Sequence, residues 1–208
     1  MKITKLVSVF FPFIASDWTD QSDFVRGGVS FSKIDIAKGG RTATFSGELN
    51  TTILDAGFSS QRLTGTRTFD WSKFKGVRFE YETPDCNLLP PVFTLIIKDR
   101  LQQGDDGVPG VTPGFTPDPT LPPGPDTLDF EYNFKPECNP HRPRKTYSVT
   151  PSFKDFDAWY RGTLTEGTLN LKTVRRFQVM VRSFEELQKE RLQDGKWKLK
   201  VNRIQLWK

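Results

Sequence analysis

The run Trp197-Lys-Leu-Lys-Val-Asn-Arg-Ile-Gln-Leu-Trp207 constrains the fold more than any other stretch. Trp197, Leu199 and Val201, then Ile204 and Leu206, stand between Lys198, Lys200, Asn202 and Gln205. Successive side chains of a strand point to opposite faces, so this run has one apolar face that must be covered. Shorter runs of the same kind recur. Arg41–Leu49 offers Ala43, Phe45 and Leu49 to an inner face, and Val77–Tyr81, Leu128–Phe134, Lys145–Val149 and Phe177–Ser183 alternate likewise. Val29–Ile36 carries Val29, Phe31, Ile34 and Ile36, and its phase slips near Ser32, which predicts a bulge. Asp55–Leu63 predicts Phe58 pointing inward, with Arg62 on the same face or at its rim. Val92-Phe-Thr-Leu-Ile-Ile97 is apolar almost throughout, which places it in the middle of a sheet.

Helical periodicity is nearly absent; the polar-aromatic loop Phe69–Gly76 suggests one helical turn and the charged segment Glu185–Leu192 one or two. Many short strands with regular turn signals predict an all-β, antiparallel β-sandwich, with residues 1–208 as one domain. Aromatic residues make up 13% of the chain and include 18 Phe, so large side chains offset a hydrophobic content of 36% and suit a thin two-layer core. Residues 101–127 depart from the pattern and hold seven of the fifteen prolines. They predict a long Pro/Gly-rich loop insertion between two strands that pair with each other.

The stretch Trp18-Thr-Asp-Gln-Ser-Asp-Phe-Val-Arg-Gly-Gly-Val-Ser30 reads as a tight corner before a strand. Asp23, Arg26, Gly27, Gly28 and Ser30 are its structural residues, and a buried or half-buried Asp23–Arg26 ion pair is expected to brace it. Residues 6–15 read as a first strand, with a short signal peptide as the alternative. No run approaches the roughly 18 apolar residues of a membrane span. The net charge of +5 comes from basic residues interleaved with acids, without a recognition motif, so no nucleic-acid partner is expected. Cys86 and Cys138 make neither a disulfide framework nor a zinc set; they read as free thiols in a reducing compartment, with a single disulfide as the alternative.

Catalytic signals are thin. His141 is the only histidine and lies in a polar loop, and no Gly-x-Ser-x-Gly elbow is present. No catalytic residue is assigned and no cofactor is expected, apart from a candidate structural Ca²⁺ at Asp20 and Asp23, or at Asp105 and Asp106. Trp71, Trp159 and Tyr160 lie in loops or at strand ends, where aromatic rings stack on sugars, anchor partner proteins, or plug the end of a core.

Taken in order, these segments resemble the complex I intermediate-associated protein 30 family. Trp18…Asp23-Phe-Val-Arg-Gly-Gly-Val-Ser30 looks like its hallmark. Phe45-Ser-Gly-Glu-Leu49, Gly57-Phe-Ser-Ser-Gln-Arg62 and Asp70-Trp-Ser-Lys-Phe-Lys-Gly76 look like its next blocks. Ser152-Phe-Lys-Asp-Phe156 with Arg161-Gly162, Leu169-x-Leu-Lys-x-Val174 and Gly195-Lys-Trp-Lys-Leu199 resemble the last ones. The likeness spans nearly the whole chain outside residues 101–127. It implies a galactose-binding-domain-like jelly roll and a role like that of mitochondrial chaperones that assemble respiratory complex I. Arg26 stands where mitochondrial members tend to carry Met or Ile, and no long basic presequence is seen, as in a fungal-type branch.

The reading is therefore a non-catalytic binding module that holds a protein partner, with Phe24, Trp71, Trp159, Tyr160 and Arg161 as contact candidates. A jelly roll binding a carbohydrate or small ligand is the first alternative, and a cofactor-independent cyclase-type enzyme of fungal metabolism the second. The expected location is cytoplasmic, with a mitochondrial one by family analogy, or a secreted one if residues 1–15 are a signal peptide.

Overall fold

The computed structural model describes residues 5–90, 92–101, 128–142, 144–183 and 193–208. The predictions for residues 102–127 and for Glu185–Leu192 fall outside them, Asp105 and Asp106 included. Two antiparallel sheets form a sandwich. One contains β3 (Phe31–Ile36), β4 (Ala43–Leu49), β13 (Gly195–Trp207), β6 (Gly76–Glu82) and β9 (Thr146–Val149) in that order, with β1 (Leu6–Val9) also paired to β13. The other runs β11 (Thr163–Leu164), β10 (Asp157–Tyr160), β8 (Asp129–Phe134), β7 (Phe93–Lys98), β12 (Arg176–Arg182), β5 (Phe58–Leu63) and β2 (Trp18–Asp20).

The long alternating run became the axis of the first sheet. β13 pairs with β4 along its first half and with β6 along its second. Its register shifts between Val201 and Arg203, where the alternation changes phase in the sequence. Trp197, Leu199, Val201 and Ile204 meet Phe93, Leu95, Ile97, Phe177, Val179 and Val181 of the other sheet in one buried core. Phe93 packs edge-on against Trp197 with 5.8 Å between ring centroids. β7 occupies the centre of its sheet, flanked by β8 and β12, and is buried on both faces. β7 and β8, on either side of the proline-rich insertion, pair directly.

Three local expectations are corrected. β3 carries no bulge: its register with β4 runs unbroken from Phe31 to Ile36. Ser32, Ile34 and Ile36 form its inner face, and Phe31 points out. A serine at an inward position imitates a phase slip when only apolar residues are scored. β5 has the expected parity on the opposite face. Ser59 and Leu63 point inward, where Ser59 accepts a 3.0 Å bond from Trp197 Nε1, while Phe58 and Arg62 lie on the outer side. Cys86 and Cys138 are not free thiols but form a disulfide with a Cα–Cα distance of 5.7 Å. Pairing of Phe93 with Phe134 brings the segment before β7 beside the segment after β8, so residues 52 apart in sequence meet.

Candidate functional site

The corner opens with Trp18 on β2, buried against Phe45 at 5.1 Å between centroids. A single 3₁₀ turn, Asp23–Arg26, follows and ends at Gly27, whose φ of 86° is left-handed and suits glycine. Asp23 is buried at the centre. Its Oδ1 accepts the Ser30 backbone N–H at 2.9 Å and its Oδ2 the Ser30 hydroxyl at 2.6 Å. A Cβ on Gly28 or on Gly57 would collide with that carboxylate, so both glycines make room for it. Ser30 Oγ also accepts the Asn50 N–H at 2.9 Å, which ties the corner to the loop after β4.

The expected Asp23–Arg26 ion pair is replaced by this arrangement. Asp23 turns inward to Ser30, whereas Arg26 is exposed and its guanidinium sits 5.5 Å over the Phe58 ring. A one-turn 3₁₀ segment puts residues three apart above each other, but the glycines draw the carboxylate into the fold and leave the arginine outside. Asp20 is likewise engaged by hydroxyls, from Ser22 and Ser32, each at 2.6 Å. Among the described residues no group of three or more His, Cys, Asp or Glu side chains is placed to hold a metal ion. The serine hydroxyls and amide thus supply the donors at both proposed Ca²⁺ carboxylates.

Around this corner several large apolar side chains are exposed, with Arg26 among them. Phe24, Val25, Val29 and Phe31 are each about half exposed, and Ile53 and Leu54 stand out from the loop held by Ser30 and Asn50. Phe31 begins β3, the edge strand of its sheet. Trp71 does not belong to any such surface. It is 2% exposed and stacks on Phe153 with 5.9 Å between centroids, so it seals one end of the core and cannot contact a partner. Trp159 and Tyr160 are half-buried on β10, Arg161 is exposed at the turn to β11, and His141 is exposed in its loop.

The outer face of the seven-stranded sheet is the feature that sequence reasoning missed. Arg62, Gln178, Ile96 and Glu131 form one cross-strand row over β5, β12, β7 and β8. Arg62, Arg176, Gln178, Arg182 and Glu131 are all buried, although they face away from the core. Arg182 Nη2 pairs with Glu131 Oε2 at 2.7 Å, and its guanidinium lies 5.2 Å over the Trp159 ring. Lys98 Nζ reaches Asp129 at 2.9 Å. Burial pushes the Glu131 carboxyl up to about 7, against the opposing pull of Arg182; nearby Asp129 adds to the rise and Lys98 reduces it. A cleft of about 130 Å³ opens over this face between Arg26, Phe58 and the Arg161-Gly162 turn. A wider recess of about 290 Å³ beside the disulfide has, among the described residues, Asp194 and Lys196 as charged lining. The alternation of β12, Arg-Phe-Gln-Val-Met-Val-Arg, resembles an ordinary wet outer face and gives no sign that this face is covered.

Comparison with known proteins places this sandwich. The family model for complex I intermediate-associated protein 30 matches residues 13–201. The chain belongs to that family. No curated protein matches the sequence. Among solved structures, one described as "Structure of PfGH50B" is 14% identical with a TM-score of 0.40; the match covers 91% of this chain and 22% of that one. Among the described residues, no helix is long and apolar enough to cross a membrane.

Proposed function

We propose that the protein is a non-catalytic binding module that holds a protein of a complex I intermediate. Membership of a family described by association with such an intermediate supports this reading. The observation that carries it is the apolar band of Phe24, Val25, Val29 and Phe31 at the signature corner. Large apolar side chains gathered at one place, next to an edge strand, are what a partner surface needs. The rigid corner beneath, locked by Asp23 and Ser30, presents these side chains at fixed positions and lowers the ordering cost of binding. The disulfide supports a location where thiols are oxidised in place of the reducing cytoplasm.

The test compares wild-type protein with the Phe24→Ser/Phe31→Ser double variant in affinity purification from the native source. Complex I subunits are expected with the wild type and should be depleted at least tenfold with the variant, both proteins having the same melting temperature. Equal recovery of those subunits by the two proteins, or their absence from both, would contradict the reading.

A further inference from the structure

Among the described strands, β1, β2, β3, β9 and β11 have a neighbour on one side only. β1, β2, β9 and β11 have four, three, four and two residues, whereas β3 has six and contains no proline. Short edge strands keep a sheet from pairing with another chain, and β3 lacks that protection. We propose that β3 pairs antiparallel with β3 of a second copy of this chain, about a two-fold axis at Ile34, so that the six-stranded sheets of two molecules become continuous.

Ladder parity sets which main-chain groups face outward. The Ala37 N–H donates to the Thr42 carbonyl at 3.0 Å, and these two residues continue the register of β3 with β4. Bonding alternates along an antiparallel strand, so Phe31, Lys33 and Asp35 bond to β4. The N–H and C=O groups of Ser32, Ile34 and Ile36 point away from it. Ser30, one step earlier in that series, donates its N–H to Asp23 and not to β4. Among the described residues, no hydrogen bond reaches the main-chain groups of Ser32, Ile34 or Ile36.

Charge selects both the occupant and the register. Lys33 and Asp35 stand on the outer face with side chains 64% and 66% exposed, and they approach each other only to 3.6 Å. With the axis at Ile34, Lys33 of each copy lies opposite Asp35 of the other. The half-exposed Phe31 lies opposite the exposed Ala37, whose small side chain leaves room for the ring. Ser32, Ile34 and Ile36 meet Ile36, Ile34 and Ser32 of the second copy, which gives about six ladder hydrogen bonds. Sliding one strand by two residues moves the axis to Lys33 or to Asp35. Like charges then face each other, and one pair of ladder partners is lost. Sliding by one residue sets outward groups opposite groups already bonded to β4. A lone lysine on an edge discourages pairing, but a lysine two residues before an aspartate complements its own copy. The two-fold arrangement uses the β3 edge of both molecules and closes at two copies.

The experiment is sedimentation velocity of the full chain over about 1–200 µM. It compares wild type, Lys33→Glu, Asp35→Lys and an equimolar mixture of the two variants. Both side chains are exposed, so melting temperatures should hold. The wild type should dimerise with a dissociation constant on the order of micromolar. Each variant alone should weaken the dimer by about tenfold or more, because like charges then meet at two places. The mixture should regain the wild-type affinity as a heterodimer, since every charge again faces its opposite. Amide hydrogen exchange over Phe31–Ile36 should slow as the dimer forms. A monomer throughout, a dimer indifferent to both substitutions, a mixture that stays monomeric, or growth beyond two copies would overturn the proposal. Slow exchange at every concentration would overturn it by giving the edge to a segment of the same chain. Protection brought only by an added complex I subunit would overturn it by giving the edge to a foreign strand. Lys33 and Asp35 take no part in the apolar band, so failure here leaves the partner-recovery test standing.

Discussion

The two faces of the seven-stranded sheet are made by the same strands, and along β12 they are buried almost equally, yet they differ in chemistry. On β12 the inner face is Phe177, Val179 and Val181; the outer face is Arg176, Gln178, Met180 and Arg182. The inner face is an ordinary core, where apolar area leaves water and neighbouring rings interlock. The outer face holds charges that cost free energy to remove from water and recover it only through partners. An apolar cover would serve stability as well or better. Buried ionisable groups in a cleft are a common mark of a binding surface, and they are what separates the outer face from the core.

The largest expected effect is on the inner face. Phe177→Ala should destabilise the protein by about 3–5 kcal/mol through the cavity it leaves, measured by urea unfolding. A loss below about 1 kcal/mol would mean that the core lies elsewhere. The next is the clasp at one end of the sheet. Replacing Cys86 and Cys138 by Ser should cost roughly 2–4 kcal/mol, because the disulfide restrains the unfolded chain, and reduction of the wild type should lower its melting temperature in the same direction. The third concerns the corner that carries the apolar band. Asp23→Ala should cost about 1–3 kcal/mol by leaving the buried Ser30 donors unmatched. Arg26→Ala should cost less than about 1 kcal/mol, the scale of an exposed cation–π contact. A double-mutant cycle between them should give coupling near zero; substantial coupling would restore the ion pair that the geometry replaces.

Much of the framework was legible because its signals are local. β7 could be placed centrally since a strand covered on both sides must be apolar on both, as Phe93–Ile97 nearly is. β13 was legible as a long strand from its alternation, and the structure adds a register shift between Val201 and Arg203 that was not predicted. The misreadings have a common cause: they turn on what lies across from a residue. Trp71 reads as a loop aromatic until Phe153 is seen stacked on it. Ser32 reads as a slip until its hydroxyl meets Asp20. Phe58 and Arg62 were given one face correctly, but parity alone does not say which face is the core. The cysteines meet only through the pairing of β7 with β8. Of the site candidates, Phe24 and Arg161 are exposed, while the Arg182–Glu131 pair was hidden in a pattern that any half-exposed strand would show.

The difference between the two faces is tested most directly by stability as a function of pH. Glu131 has a carboxyl raised from 4.5 to about 7 in the folded protein. The folded state therefore favours the protonated form. The stability this confers is complete below pH 4.5 and is lost as pH rises through about 7. At about 1.4 kcal/mol per pH unit the loss is at most on the order of 3 kcal/mol. Unfolding free energies from pH 5 to pH 8 should fall for the wild type and lose most of that slope in Glu131→Gln. The same slope in both proteins would contradict the account, since Glu131 would then behave as an ordinary solvated carboxylate and the outer face as an ordinary surface.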